Sequence, residues 1–233
     1  MNPSTKKGFT LIEMLVVIAI IALLAAILVP AVSTTKKKAD AVKCMHNLNQ
    51  IGMAVTQYAM ANNERLPVSN ETSSGNDPRG WRLVIAPFLD IDTSQWWADN
   101  ALTKSVFLCP SFKRGPGHNA RWNGGYGWNY RYMGHRTNST GYSERQKLYT
   151  IPNPVETVLV ADTTEGKDTS TDYKIAYLYR PTGGGGATTP SVGNRHRNGI
   201  NVLWADMHVS WMSHDQLTTG KDGNKNWYYE REK

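Results

Sequence analysis

Residues 6–32 read KKGFTLIEMLVVIAIIALLAAILVPAV. From Met14 to Val32 there are 19 consecutive residues without a polar side chain. Counted back to Phe9 the apolar stretch is 24 residues, interrupted only by Thr10 and Glu13. An α-helix rises about 1.5 Å per residue, so this stretch reaches about 36 Å, enough to cross a hydrocarbon layer of about 30 Å. It is apolar on every side, unlike a soluble helix with one buried stripe. A cleaved secretory signal would have a shorter apolar region and no charge inside it; Ala31 and Ser33 supply small residues for a cut, but the length and Glu13 argue against one. A carboxylate near the end of a helix in lipid is costly unless it is paired, so Glu13 marks a functional position.

Working outward, the charge balance singles out the same region. Residues 1–43 hold six Lys against Glu13 and Asp40, or +4 of the formal +7. The remaining 190 residues hold twenty basic and seventeen acidic side chains, or +3. A membrane surface fits that pattern, and no nucleic-acid partner is expected. Eight Trp and eleven Tyr exclude a disordered chain, and a single long apolar run excludes a multi-span membrane protein. About 170 residues follow the helix, enough to bury a core without staples. Lys6 and Lys7 precede the run, while Lys36, Lys37, Lys38 and Lys43 follow it. The positive-inside count taken alone would leave the C-terminal part in the cytoplasm.

Residues 36–62 read KKKADAVKCMHNLNQIGMAVTQYAMAN. Val42, Met45, Leu48, Ile51, Val55, Tyr58 and Ala59 recur at three and four, which predicts an amphipathic helix with one apolar stripe packed on the chain's own sheet. It continues the apolar helix past Pro30 and is expected to end near Asn62-Asn63, before Pro67. Turn signals then crowd residues 69–80 and 113–125. Trp81 to Leu89 reads as a short helix or an extended stretch. Strands are predicted at Thr157–Ala161, Lys174–Tyr179, Ile200–Ala205 and His208–Met212. The last two form a hairpin across Asp206-Met207, whose second position wants positive φ. Gly183–Gly186 lacks the following helix and Lys-Ser/Thr pair of a phosphate loop. A long helix, an irregular stretch and then antiparallel strands make an α+β fold.

Lys6-Lys7-Gly8-Phe9-Thr10-Leu11-Ile12-Glu13 resembles the processing site of type IV prepilins and type II secretion pseudopilins: a short basic leader ending in Gly, then Phe, with Glu four residues on. Pro30 stands where the family carries a helix-kinking proline. The resemblance implies a pilin-like fold, cleavage between Gly8 and Phe9 by a prepilin peptidase, and N-methylation of Phe9 by the same machinery. It implies a single-pass inner-membrane protein, with the C-terminal domain periplasmic or extracellular despite the lysine count. Physically, the new α-amino group of Phe9 is a cation at the tip of an apolar helix. Glu13 of a staggered neighbour is its expected counter-ion in a low-dielectric helix bundle, which favours one register of assembly. The alternative is that Glu13 snorkels to the interface.

Cys44 to Gly52, Leu66-Pro67, Phe107 to Ser111 and Tyr126 to Asn129 resemble a subgroup of these proteins with a C-terminal His-x9-Asp-Gly signature. In RHRNGINVLWADMHVSW, His196 and Asp206 keep the spacing, and Met207 stands where the subgroup has Gly. With the domain outside the cytoplasm, a Cys44–Cys109 bridge would close a loop of about 65 residues, worth some 4 kcal/mol in the chain-entropy model. The alternative is a pair of buried thiols. His196 and Asp206 invite a catalytic or metal reading, but a strand between them would hold them about 33 Å apart. Asp206 capping the turn, with His196 contacting another element, is the simpler account. Asp206 and His208 could share a face as a weak metal pair. Related pseudopilins carry calcium in C-terminal loops, and Asp162, Glu165, Asp168 and Asp172 form an acidic loop, yet no residue pattern transfers. No metal site and no cofactor are therefore assigned.

Between residues 113 and 136, Lys113, Arg114, Arg121, Arg131 and Arg136 alternate with Trp122, Tyr126, Trp128, Tyr130 and Tyr132. Such a loop can stack sugars or bases, with Trp122, Tyr126 and Trp128 as its platform, or can anchor aromatics in the core and contact neighbouring subunits. The expected division is a leader at 1–8, a transmembrane and filament-core helix at 9–32, its amphipathic continuation at 33–63, and a globular domain at 64–233. The expected function is a non-enzymatic subunit of a secretion pseudopilus or pilus-like filament. Its partners are the membrane, the prepilin peptidase and copies of itself or other pseudopilins. The alternative is a membrane-anchored polysaccharide-binding module. An anchored hydrolase built on His196 and Asp206 finds no nucleophile elbow or triad motif to support it.

Overall fold

The computed structural model describes residues 10–68, 80–93, 105–113, 125–134, 146–163, 178, 192–221 and 228. The chain divides into two compact units, Met1–Ala39 and Asp40–Lys233. Helix α1 spans Leu11–Ala61, with Pro30 inside it.

In the first unit, α1 starts with a reciprocal cap. The Thr10 backbone N–H donates to Glu13 Oε2 at 2.8 Å, and the Glu13 N–H donates to Thr10 Oγ1 at 3.3 Å. This Thr-x-x-Glu box satisfies two of the backbone donors that every helix start leaves open. Every side chain from Thr10 to Ala39 is exposed. The Thr34 and Thr35 hydroxyls donate back to the carbonyls of Pro30 and Ala31. Such internal bonding is what polar side chains at the edge of a bilayer require.

In the second unit, the same helix buries Cys44, Asn47, Leu48, Ile51, Gly52, Ala54, Val55, Tyr58 and Ala59. The expected stripe is correct from Leu48 onward and wrong at its start. Val42 is 67% exposed, and the buried face opens with Cys44 and Asn47 instead. The reason is that polar groups, not apolar ones, face the first turn of this stretch. α1 stops where Asn63 and Glu64 turn left-handed (φ 54° and 64°). There the Glu64 N–H reaches back to the Ala59 carbonyl, and the Asn62 side chain bonds the Tyr58 carbonyl.

Among the described residues the sheet has four antiparallel strands in the order β1-β2-β3-β4: β1 Tyr126–Trp128, β2 Val158–Asp162, β3 Gly199–Trp204 and β4 Val209–Ser213. Tyr126 pairs with Asp162, Ala161 with Val202, and Leu203 with Val209. Short helices α2 (Gly80–Ile85), α3 (Tyr130–Met133) and α4 (His214–Thr219) and three 3-10 turns at Ala86–Leu89, Leu148–Thr150 and Pro154–Glu156 complete the regular structure among the described residues. β2 and β3 are buried along their whole length. One apolar cluster joins Leu48, Ile51, Val55, Trp81, Trp128 and Leu203; a second joins Ile200, Val202, Trp204, Val192 and Leu217. Successive residues of β3 thus feed opposite cores, as the two-residue pleat demands. At Gly52 a Cβ would lie 3.0 Å from Leu203 Cδ1, so α1 approaches β3 closely at that position.

The α+β expectation holds, with corrections to individual elements. Trp81 to Leu89 is helical. β1 is a strand within what the sequence presents as a loop. Of the strand expected at Lys174–Tyr179, Leu178 alone is described; it lies outside any strand and donates its N–H to the Trp128 carbonyl. Gly183–Gly186 lies outside the described residues. The β3–β4 connection has three residues, not two. The Met207 N–H donates to the Trp204 carbonyl, and the Trp204 N–H donates to the His208 carbonyl. Three-residue hairpins place a left-handed residue last, and Met207 occupies that position with φ 72°. The missing glycine costs about 1 kcal/mol. Against this, the Met207 side chain packs on the core.

Gly199 opens β3 for a steric reason. A Cβ there would lie 2.3 Å from the Trp211 indole on β4, whose Nε1–H donates to the His196 carbonyl at 2.7 Å. Gly199→Ala is expected to push the indole away and destabilise the protein by about 1–3 kcal/mol. Urea titration of the detergent-solubilised chain, followed by tryptophan fluorescence, measures it.

Candidate functional site

Four segments distant in sequence bring one ionisable side chain each to a single buried point. α1 supplies Cys44, the turn at 105–113 supplies Cys109, the end of β2 supplies Asp162, and the turn before β3 supplies His196. Their ligand atoms all lie within 4.8 Å of one another, and none of the four residues is more than 2% exposed. Cys44 Sγ is 3.0 Å from Cys109 Sγ and 3.3 Å from Asp162 Oδ1. His196 Nε2 is 3.3 Å from Cys109 Sγ and 3.4 Å from Asp162 Oδ2.

A second ring of groups fixes these four. The Asn201 backbone N–H donates to Asp162 Oδ2 at 2.9 Å. The Tyr126 hydroxyl lies 3.0 Å from Cys44 Sγ. Asn47 donates its amide to the Leu108 carbonyl at 3.0 Å, holding the Cys109 segment against α1. Arg195 approaches Asp162 Oδ1 to 4.0 Å and donates to the carbonyls of Thr163 and Gly125. His196 is carried by a tight turn whose next residues, Arg197 and Asn198, are both left-handed (φ 57° and 59°). The His196 and Gly199 backbones close that turn with mutual hydrogen bonds.

Burial and neighbours set the charge states. Burial raises the carboxyl of Asp162, but the His196 contact and the Arg195 charge prevail and leave it below the usual range. Burial lowers the His196 imidazole, yet Asp162 and Cys109 reverse this and hold it at about 9. The two thiols part company. Burial drives Cys44 well up, while contacts with Cys44 and His196 overcome burial at Cys109 and bring it to about 6. Cys109 is the sulfur that ionises first, because it accepts from the Cys44 thiol and faces the imidazole.

This is not the arrangement of a cysteine hydrolase. In a triad the base is oriented through its second ring nitrogen. Here both Cys109 and Asp162 crowd Nε2, and His196 Nδ1 has no hydrogen-bond partner among the described residues. Cys109 is also 1% exposed, so no substrate reaches it.

The remaining expected site residues are dispersed. Gly8, Phe9 and Trp122 lie outside the described residues. Glu13 caps its own helix, and Pro30 sits within it. Cys44 and Cys109 are free thiols in contact. His196 and Asp206 belong to different turns. Asp206 Oδ1 accepts the His208 backbone N–H and meets His208 Nδ1 at 2.6 Å, which ties the hairpin tip. Tyr126 and Trp128 correct the ligand-platform expectation. Both have no exposed surface, because β1 pairs with β2 and Trp128 stacks on Trp81. The cluster members that sequence reading missed are Asp162, which reads as the start of an acidic loop, together with Tyr126, Arg195 and Asn47. Part of their signal was available: four of the patches quoted for the His-x9-Asp subgroup contribute polar residues to this point, Cys44 and Asn47, Cys109, Tyr126, and Arg195 with His196, whereas Asp162 lies in none of them.

Residues 35–174 match a family described as protein of unknown function (DUF1559), well over half of the chain. The chain belongs to the DUF1559 family. Residues 3–29 match the prokaryotic N-terminal methylation motif. Curated relatives of this DUF1559 member include type II secretion system core protein G of Aeromonas hydrophila, 32% identical over 35% of this chain and 62% of that protein. A type IV wide pilus major component of Thermus thermophilus is 46% identical over 24% of this chain and 44% of that protein. Core protein G of Escherichia coli is 36% identical over 28% and 45%. The chain thus spans about half the length of the curated relatives it matches. No solved structure matches it significantly.

Removing one member of a buried charge pair strands the others. Asp162→Ala is expected to cost about 3–5 kcal/mol, because Arg195 and His196 lose their buried counter-charge. The same urea titration reads it as a lowered midpoint.

Proposed function

We propose that this chain is a structural subunit of a type II secretion pseudopilus or a type IV pilus-like filament. It is made as a prepilin, cut between Gly8 and Phe9 by a prepilin peptidase, methylated at the new Phe9 amino group, and anchored in the inner membrane by one helix. The remainder of the chain lies in the periplasm or outside the cell. Assembly joins it to copies of itself or to other pseudopilins.

The observation that carries this reading is the start of α1. Its apolar side chains from Leu11 to Val32 are all exposed, Leu11 at 76% and Leu28 at 62%, for example. An apolar surface of that extent does not stay in water; it is covered by lipid or by like helices. Among the described residues α1 is the one helix long and apolar enough to cross a membrane. A lone carboxylate stands in its first turn. Both Thr10 contacts fall on Glu13 Oε2, the hydroxyl at 2.7 Å and the backbone N–H at 2.8 Å. The other oxygen is left to a cation from a neighbour, and a mature Phe9 ammonium is such a cation. The methylation-motif match and the names of the curated relatives support the same reading. The polysaccharide module loses support, since two of its three aromatic anchors are buried.

Mass spectrometry of the chain purified from its host membrane is expected to find an N-terminal methylated Phe9. An intact Met1 terminus would overturn the processing step. Glu13→Ala is expected to leave membrane insertion unchanged and to abolish recovery in sheared filaments; filaments formed normally by that variant would overturn the role of Glu13.

A further inference from the structure

We propose that Cys44, Cys109, Asp162 and His196 form a closed, structural zinc site. This goes beyond the filament reading and does not depend on it.

The four ligand atoms lie close enough together to surround one zinc ion, all within 4.8 Å of one another. Zinc takes sulfur at about 2.3 Å and nitrogen or oxygen at about 2.0–2.1 Å, so tetrahedral edges are about 3.8 Å between sulfurs and about 3.3–3.5 Å for the other pairs. Four of the six edges are 3.0 Å for sulfur to sulfur, 3.3 Å for Cys109 to His196, 3.4 Å for His196 to Asp162 Oδ2, and 3.3 Å for Cys44 to Asp162 Oδ1. The other two pairs lie within 4.8 Å. Binding needs the sulfurs to part by less than about 1 Å and one Asp162 oxygen to turn to the metal.

Chemistry and charge fit the same ion. Two thiolates, a carboxylate and an imidazole are a zinc donor set, and soft sulfur ligands exclude a hard cation such as calcium, which wants six or more oxygens. Two thiolates and Asp162 carry three negative charges. Zinc and the adjacent Arg195 guanidinium carry three positive ones, so the buried shell is neutral. The outer contacts suit two of the ligands. The Tyr126 hydroxyl beside Cys44 Sγ stabilises a thiolate, and the Asn201 N–H orients the carboxylate. Four full protein ligands and complete burial leave no open position for substrate, so the role is structural.

The competing occupant of the same sulfurs is a Cys44–Cys109 disulfide. A disulfide would use the two sulfurs alone and leave Asp162 and His196 to pair with each other. The ion uses all four side chains and the charge of Arg195 as well. Because the ligands come from four separate segments, the site would tie α1, the 105–113 turn, β2 and the turn before β3 together, and metal binding would be coupled to folding.

The full chain, extracted in detergent without reductant or added metal, tests this. Elemental analysis is expected to find about one zinc per chain, and both cysteines should be alkylated once the protein is denatured. Cobalt(II) exchanged into the wild-type chain is expected to give a thiolate-to-cobalt charge-transfer band and the ligand-field bands of a tetrahedral site. Cys109→Ser is expected to lose the band. Should that variant not fold, the wild-type chain still decides: chelator is expected to lower its thermal midpoint, and zinc(II) to restore it. An intact mass two hydrogens lower, with both sulfurs refusing alkylation and no zinc, would overturn the proposal in favour of the bridge. Free thiols that take up neither zinc(II) nor cobalt(II) would overturn it outright.

Discussion

A carboxylate with no exposed surface must be compensated, and Asp162 at the end of β2 organises the second unit around that need. Its two oxygens collect a backbone N–H from β3, the His196 imidazole, the Cys44 thiol and the field of Arg195. The partners come from three segments. The start of β3, the turn carrying Arg195 and His196 and the first buried turn of α1 therefore have their positions defined by one charge. Apolar packing alone tolerates small slips between elements; hydrogen bonds to a buried ion do not.

The same need explains the composition of α1 in this unit. From Leu48 to Ala59 its buried face is apolar and packs on Trp81, Trp128 and Leu203. One turn earlier it presents Cys44 and Asn47, small polar side chains able to reach Asp162, Tyr126 and Leu108. A large aliphatic residue at position 44 would take the thiol away from Asp162 Oδ1 and crowd the cluster. In the first unit the requirements are opposite. No side chain between Thr10 and Ala39 is buried, and polar groups there bond to their own helix. That is the behaviour of a segment whose surroundings are lipid or other helices.

The β3–β4 hairpin shows how a signature spacing can mislead and still be informative. His196 and Asp206 read as a pair, but most of the nine intervening residues are spent on a strand. The first stands in the buried cluster, and the second ties a hairpin tip. What the spacing preserves is register: Gly199 at the head of β3 makes room for the Trp211 indole, and that indole holds the carbonyl of His196. The signature is a device for placing one histidine.

The sequence by itself determined the apolar helix, its acidic first turn, the stripe from Leu48 onward, the α+β class and the β3–β4 hairpin. All of these follow from periodicity, local sterics and turn chemistry, which act over a few residues. It also supplied Cys44, Cys109 and His196 within recognisable patches, but not Asp162. Tertiary structure decided what those patches are for. That Tyr126 and Trp128 are a strand and not a loop, that Val42 turns outward while Cys44 turns in, and that Asp162 outranks Asp206 as the partner of His196 all depend on contacts between segments up to 118 residues apart. A buried charge selects its partners by distance in space, and no pattern along the chain records that distance.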